Sequence, residues 1–551
     1  VSTGAYNTLI GGLAGDAINT GSHNVAIGYA ALSSEDGNGK NVAIGVNALE
    51  DLNAGADAYN IAIGHDAGRN VTTGIKNNLI GGLAGDALTT GSYNVAIGYN
   101  ALSTEDEHGR NIAIGHNALF SLNAGADAYN VAIGYDTGWN ITTGVNNVLV
   151  GGQAGDALTT GNHNIAIGRD ALSTEDAHGY NIAIGGYALQ DQDAGVDAYN
   201  IAIGYQAGTD VSTGIRNILI GGFTGDALTT GSYNVAIGYD ALSTEDGNGL
   251  NVAIGYAALK TQNAGADAYN VAIGFEAGKL VSTGIKNVII GGLAGDALTE
   301  GNYNIAIGYK ALSTEDAHGR NVAIGYLALE NQDAGADAYN VAVGFYAGQA
   351  VTTGTQNTMV GGNAGDALTE GNTNVAVGYN ALSSETLGDR NVAIGKGALT
   401  SQNNTSDTDV YNTAIGFNAG NSVTTGVDNT IIGGLAGDAV TTGSYNVAVG
   451  RSALGANTIA NSNTSIGWNS LGDNVDGSKN VAVGHQSLRN LDPASAADTF
   501  NVALGYHSGL SVSTGTQNTI IGGATGDALT TGANNIIIGY NAAASAVDVS
   551  N

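Results

Sequence analysis

The chain is built on a five-residue pattern in which an asparagine is followed by mostly apolar residues and then a glycine. The copy Asn24–Gly28 reads Asn-Val-Ala-Ile-Gly, and 31 such copies run along the sequence. The copies form blocks of four coils, and the asparagines that open the first blocks are Asn7, Asn77, Asn147 and Asn217. A fixed short period over the whole chain predicts a repeat architecture rather than several globular domains.

Each copy of the pattern predicts a short β-strand, because β-branched residues alternate with small ones. Val25 and Ile27 share one face of this strand, whereas Asn24, Ala26 and Gly28 share the other. No charged residue occupies the five columns in any copy, which predicts that both faces are buried. We expect a second copy of the chain to cover one face. In a single-chain solenoid, the Asn-Ala-Gly face would instead be covered within the chain.

The asparagine and glycine columns predict structural roles, as at Asn24 and Gly28 or at Asn94 and Gly98. Stacked asparagines form hydrogen-bonded ladders in β-arrays. Glycine serves where the backbone needs a positive φ or approaches another backbone closely, so this column is expected to bend the chain out of the strand.

The predicted fold is therefore all-β, a parallel β-roll (β-solenoid) of about 31 short coils. Each coil is expected to contain two short strands and two turns, since a second apolar patch follows the first strand. We expect residues 1–551 to form one continuous solenoid. Four-coil blocks cover 7–428, an irregular region with an extra coil covers 391–500, and the final coils cover 501–551.

Two stretches carry a resemblance to known families. Asn94–Leu102, Asn-Val-Ala-Ile-Gly-Tyr-Asn-Ala-Leu, resembles the head repeats of trimeric autotransporter adhesins, and Asn412–Gly416, Asn-Thr-Ala-Ile-Gly, resembles the shafts of phage and viral tail fibres. The resemblance covers nearly the whole chain, although the coils here are longer than those of the adhesin heads. It implies a left-handed homotrimeric roll, an extracellular place on a cell or virion surface, and binding without catalysis.

The composition of the chain limits the classes of partner that it can bind. The net charge of −32 excludes a nucleic-acid backbone as a natural partner and favours divalent cations. The chain has no cysteine and therefore no disulfide, and no long apolar run predicts a membrane span.

Tyrosines flank the predicted strands. Of the 25 tyrosines, 12 precede the asparagine and 11 follow the glycine. They indicate either an aromatic ladder that packs the coil edges or a surface strip that stacks on the sugars of a host cell-surface or glycan ligand. The second alternative makes candidate binding residues of Tyr29, Tyr59, Tyr99 and Tyr129.

Acidic residues recur on one corner of successive coils and suggest a calcium site, since Ca²⁺ takes six to eight oxygen ligands. The alternative is a solvated acidic face that keeps the protein soluble. Histidines at His108, His178 and His318 share a loop column with Asn38 and Asn248, which indicates polar loop residues rather than metal ligands. The candidate calcium ligands are Asp16, Glu35, Asp36, Asp57, Glu105, Asp106 and Asp127.

No set of nucleophile, base and orienting residue stands out, so we predict that the protein is not an enzyme. The sequence favours a non-catalytic extracellular fibrous adhesin or fibre shaft, which presents a repetitive surface to cells or glycans. The alternatives are a structural subunit of an extracellular filament or sheath, polymerised end to end, and a phage or viral tail-fibre shaft.

Overall fold

The computed structural model describes residues 1–542 of the chain. Within this range the regular structure is entirely β, with no helix. A search of the same residues for helices able to cross a membrane finds none. The chain divides into two compact units, Val1–Asn270 and a second that begins at Val271. Each unit is a parallel β-solenoid, as the repeat predicts.

In the first unit every coil contributes one three-residue strand. Consecutive strands pair in parallel, and each residue lies opposite its counterpart in the next coil, as Ala26 does opposite Ala43. These strands are β1 Thr8–Ile10, β2 Val25–Ile27, β3 Val42–Ile44, β4 Ile61–Ile63, β5 Asn78–Ile80, β6 Val95–Ile97, β7 Ile112–Ile114, β8 Val131–Ile133, β9 Val148–Val150, β10 Ile165–Ile167, β11 Ile182–Ile184, β12 Ile201–Ile203, β13 Ile218–Ile220, β14 Val235–Ile237 and β15 Val252–Ile254.

The second unit has the same pattern and adds four two-residue strands. They pair as two small parallel sheets, Gly388–Asp389 with Thr408–Asp409 and Gly477–Ser478 with Ala497–Asp498. The three-residue strands are β16 Val271–Ile273, β17 Val288–Ile290, β18 Ile305–Ile307, β19 Val322–Ile324, β20 Val341–Val343, β21 Thr358–Val360, β22 Val375–Val377, β24 Val392–Ile394, β26 Thr413–Ile415, β27 Thr430–Ile432, β28 Val447–Val449, β29 Thr464–Ile466, β31 Val481–Val483, β33 Val502–Leu504, β34 Thr519–Ile521 and β35 Ile536–Ile538. The two-residue strands are β23 Gly388–Asp389, β25 Thr408–Asp409, β30 Gly477–Ser478 and β32 Ala497–Asp498.

The prediction of a second strand in every coil is wrong. In the described range, a second strand occurs only as the four two-residue pieces near the two longest coils. Elsewhere the second apolar patch is a buried turn, in which Leu32 and Leu49 adopt left-handed φ angles of 53° and 50°. A left-handed residue reverses the backbone direction, so the patch cannot extend as a strand.

The strand faces are arranged as in a single-chain solenoid. Asn24 and Ala26 are fully buried inside the coil, whereas Val25 and Ile27 on the opposite face remain partly exposed. Small strand residues line the interior because leucines from the turns fill it, and Leu49 packs so closely that a Cβ at Gly68 would lie 3.1 Å from its Cδ2. In the single chain the valine and isoleucine face is only partly buried, and its burial by a second copy stays a prediction.

The asparagine column forms a hydrogen-bonded ladder. The Asn41 amide donates to Asn24 Oδ1 at 3.0 Å, and Asn24 Nδ2 donates to the Asn38 carbonyl at 3.2 Å. Asn94 repeats both contacts in its own coil, and its amide donates to Asn77 Oδ1 at 2.9 Å. These bonds satisfy the buried amides that a coil interior would otherwise leave unpaired.

Backbone geometry explains why a glycine ends each strand, as at Gly28 and Gly98. Their φ angles are 141° and 139°, which a residue with a Cβ rarely adopts. A Cβ at Gly98 would lie 2.2 Å from the Gly115 carbonyl oxygen of the next coil. The column therefore allows both the turn and the close stacking of coils.

Candidate functional site

The residue before each ladder asparagine belongs to a surface column where tyrosines and basic residues recur in neighbouring coils, as Lys40 and Tyr59 do. Tyr59 and Tyr129 are each 49% exposed and have a left-handed φ of 54°. The Lys40 ammonium lies 4.9 Å from the Tyr59 ring centroid, and the Arg110 guanidinium lies 5.3 Å from that of Tyr129. Cation–π contacts of this kind order the side chains along the column. We call this set the cation–aromatic column.

Two of the predicted calcium ligands belong to this column instead. Asp57 Oδ2 lies 2.8 Å from Lys40 Nζ, and Asp127 Oδ2 lies 3.1 Å from Arg110 Nη1. The hydrogen bond from Lys40 holds the pKa of the Asp57 carboxyl below its usual range. Both carboxylates are therefore paired with basic side chains rather than gathered around a shared point.

The residue after each strand glycine forms a second surface column, which we call the aromatic column. The Tyr99 ring stacks on His116, with centroids 5.6 Å apart, and His116 stacks on Tyr135 at 5.3 Å. Tyr29 and Tyr99 are both more than half exposed. Similar runs of rings are Tyr239–Tyr256, Tyr309–Tyr326–Phe345 and Trp468–His485–Tyr506. Phe223, one position further along its coil, contacts the column residues Tyr205 and Tyr239.

Glycine takes the place of an aromatic residue in the first coil of each four-coil block and, at Gly186, in one further coil. Gly82 lies beside Tyr99, and a Cβ at Gly82 would lie 3.4 Å from Tyr99 Cδ2. Gly12 has the same position beside Tyr29, whose Cδ2 would lie 3.6 Å away. The rings thus pack the coil edge, as the first sequence alternative predicts, and also offer exposed faces to a ligand, as the second requires.

A third feature joins an acidic turn to a histidine. Glu105 is fully buried and accepts a hydrogen bond from the His108 amide at 3.1 Å. One ligand atom from each of Glu105, Asp106 and His108 lies within 4.8 Å of the others. The equivalent residues of two other blocks form the same cluster, namely Glu315, Asp316 and His318, and Glu175, Asp176 and His178 with the addition of Asp193.

Burial of these glutamates changes their acidity. Loss of water raises the pKa of Glu105 and Glu175, and it raises the pKa of Glu315 to about 7. Glu35 has a raised pKa for the same reason, and its Oε1 accepts a hydrogen bond from the Asn38 amide at 2.9 Å. The turns therefore hold carboxyl groups that strongly prefer a proton or a cation as partner.

The remaining acidic candidates do not cluster with other metal-binding side chains. Asp16 and Asp36 have exposed side chains. Among the residues that the structure describes, neither they nor Glu35, Asp57 and Asp127 belong to a group of three or more close metal-binding side chains.

The sequence interpretation placed the histidines among polar loop residues, and the structure brings His178 Nδ1 to 3.5 Å from Glu175 Oε1. Their exchange with asparagine pointed to loop residues, whereas the spacing Glu-Asp-x-His, which joins Glu175 to His178, was the available signal.

Comparison with the models of known protein families and with the curated proteins finds no match to this chain. The surfaces described above are therefore the basis for a functional proposal.

Proposed function

We propose that the protein is a non-catalytic extracellular adhesin or fibre shaft, which attaches to cells or glycans through its repetitive surface. The observation that carries the proposal is the pair of exposed aromatic columns. Aromatic rings with an open face stack on the apolar faces of sugars, and basic residues beside them pair with acidic groups. Repetition of such contacts raises avidity without requiring a strong single site. The proposed location is a cell or virion surface.

We also propose that the chain acts as a left-handed homotrimer. The support is the valine and isoleucine face of the strands, where residues such as Ile63 and Ile133 are 36% and 37% exposed. No charged residue interrupts this face in any three-residue strand. Exposed apolar residues along a face without charge mark a candidate protein–protein interface. Copies of the same chain match its period coil for coil and are the partners we favour.

Light scattering coupled to size exclusion tests the trimer. We expect a mass near three times the 54.7 kDa of one chain. A double variant, Ile63→Glu with Ile133→Glu, buries two charges in the proposed interface and should lower the mass to that of a single chain. Thr73→Glu adds a charge at an exposed site and serves as the control. A single-chain mass for the unaltered protein contradicts the proposal.

Glycan binding tests the adhesin function. A glycan array should show ligands for the unaltered protein, and replacing Tyr59, Tyr129 and Tyr199 with asparagine should weaken binding about tenfold or more. Asparagine tolerates the left-handed backbone and already occupies this column at Asn146, so the fold should persist. Binding that is unchanged in the triple variant, or absent from the unaltered protein, counts against the function.

The second candidate function is a structural subunit of an extracellular filament or sheath, or a viral tail-fibre shaft. The exposed valine and isoleucine face favours it, because this face supports assembly without any ligand. Very large assemblies in light scattering favour the filament. A finite trimer that binds no glycan favours the shaft.

A further inference from the structure

The turn that begins at Glu175 contains two buried polar atoms without a partner. Glu175 is fully buried, and its Oε1 accepts a hydrogen bond from the His178 amide at 3.0 Å. Its second oxygen, Oε2, is buried and has no hydrogen-bond partner. His178 Nδ1 is also buried and unpaired, and it lies 3.5 Å from Glu175 Oε1. Buried polar atoms of native proteins nearly always have partners, so both atoms indicate a missing group.

Two further carboxylates lie beside this pair. One ligand atom from each of Glu175, Asp176, His178 and Asp193 lies within 4.8 Å of all the others. In the part of the chain that the structure describes, neither Asp176 nor Asp193 forms an ion pair with a lysine or arginine. Asp57 and Asp127 differ in this respect, since basic neighbours neutralise them. The turn therefore gathers three carboxylates and an imidazole without a basic side chain.

We propose that the Glu175 turn binds a divalent first-row transition-metal ion, with Zn²⁺ as the typical occupant, through Glu175, Asp176, His178 and Asp193. This inference is independent of the adhesin proposal. Zn²⁺ takes four ligands from histidine nitrogens and carboxylate oxygens at bonds of about 2.1 Å, which places the ligand atoms roughly 3.4 Å apart. Asp176 and Asp193 are exposed and can close the remaining distance by side-chain rotation.

The donor set selects the type of metal. An imidazole nitrogen suits Zn²⁺ and similar ions, whereas Ca²⁺ requires six to eight oxygen ligands. A bound Zn²⁺ would pair with the unpartnered oxygen of Glu175 and with His178 Nδ1. The competing occupant is a proton shared between Glu175 and His178, and the experiment below separates the two.

The equivalent turns of other blocks contain different numbers of the four candidate ligands. In the Glu245 turn, Asn248 replaces the histidine and donates to Glu245 Oε1 at 3.3 Å. Asn263 of that block stands where the Glu175 turn has Asp193. The Glu105 turn keeps His108 but has Asn123 at the last position. The Glu315 turn has His318 and, at the last position, Asp333, so it repeats the residue types of the Glu175 turn. We expect affinity for Zn²⁺ to be highest at these two turns, lower at Glu105 and absent at Glu245, whose Oε2 is also unpartnered but which has no imidazole.

Calorimetric titration of the chelator-treated full chain with ZnCl₂ tests the site, in a His318→Asn background that removes the imidazole from the equivalent Glu315 turn. His178→Asn copies the residue found at Asn248, and Asp193→Asn copies Asn123 at an exposed position, so both variants should fold. We expect each to weaken the tightest Zn²⁺ binding by about tenfold or more. His163→Asn removes a histidine outside the cluster and should leave the titration unchanged. X-ray absorption of the Zn²⁺-loaded protein should show a shell of oxygen with one nitrogen.

Three results overturn the proposal. The first is a Zn²⁺ titration that neither variant alters. The second is tight binding of Ca²⁺ at the same turn, detected as a calcium titration that Asp193→Asn abolishes while Zn²⁺ gives no signal. The third is the absence of any Zn²⁺ binding at millimolar concentration, which leaves the shared proton as the occupant.

Discussion

Glu175 and Glu385 occupy equivalent positions in two blocks of the repeat, but their carboxylates differ in how many hydrogen bonds they accept. Both side chains are fully buried. Glu385 Oε1 accepts hydrogen bonds from the amides of Thr386, Gly388 and Asn404 at 3.0, 2.8 and 3.0 Å. Its Oε2 accepts from Gln402 Nε2 and Asn404 Nδ2 at 2.8 and 2.9 Å. Glu175 has one such bond and an unpartnered oxygen.

The difference comes from the neighbouring coil. Gly388 stands where His178 does, and it opens the two-residue strand β23, which pairs with Thr408–Asp409 of a coil longer than its counterparts. Asn404 stands where the Glu175 block has Ala194, and its backbone and side-chain amides both donate to the carboxylate. A buried carboxylate needs donors from the protein or a positively charged ligand. The Glu385 turn has the donors, whereas the Glu175 turn has a place for the ligand.

Replacing each glutamate with glutamine should separate these roles most strongly. Glu385→Gln places a donor group against Gln402 and Asn404, which also donate, so we expect local opening to become easier by about 2 kcal/mol. In metal-free protein, Glu175→Gln should leave its turn as stable or more so, since the new amide faces Asp176 or Asp193. Hydrogen exchange of the Gly388 and His178 amides measures both, with roughly 30-fold faster exchange expected only at Gly388.

The Asn94 amide, which belongs to the asparagine ladder, serves as the reference in both variants. Equal losses of protection at the two turns contradict the comparison, because they would give Glu175 the same structural role as Glu385.

The pH dependence of the stability of the Glu315 turn provides the next test. The pKa of Glu315 is raised by burial to about 7, with Asp333 contributing in the same direction and His318 opposing it. The folded turn therefore holds a proton that the unfolded chain releases near pH 4.5, so its stability is greatest below that pH and falls as the pH rises through 7. In metal-free protein, hydrogen exchange at the His318 amide, corrected for intrinsic rate, should show protection falling from pH 5 to pH 8.

Glu315→Gln removes the titrating group and should abolish this dependence. The Asn304 amide donates to Asn287 Oδ1 at 2.8 Å and provides a reference without a carboxylate. Protection of His318 that increases with pH contradicts the assignment of the proton to Glu315.

The repeat itself made the fold predictable. Because every coil carries the same Asn-x-x-x-Gly pattern, parallel strands in register were the natural expectation, and Ala26 indeed lies opposite Ala43. The inward face was harder to predict, since both faces lack charge. Alanine lies inside because leucines such as Leu49 occupy the interior from the turns. A left-handed backbone at Leu32 also has no local signal, since leucine rarely adopts it.

The candidate metal site was predictable only in part. The sequence placed Glu105 and Asp106 together, but it attributed Asp57 and Asp127 to the same corner. Ion pairs with Lys40 and Arg110 hold these two elsewhere. The approach of Asp193 to His178 joins positions on adjacent coils, and only the coil geometry brings them within reach.

The smallest expected effect is a gain in Zn²⁺ affinity. Asn123→Asp gives the Glu105 turn a fourth ligand, the third carboxylate that Asp193 supplies in the Glu175 turn, and we expect its Zn²⁺ affinity to rise about tenfold. The measurement is calorimetric titration in a His178→Asn, His318→Asn background, which leaves the Glu105 turn as the one complete histidine cluster of the three. Asn263→Asp, in a turn without histidine, is the matched control and should add no tight site. A comparable gain in both variants would mean that added negative charge, rather than the imidazole with its carboxylates, attracts the metal.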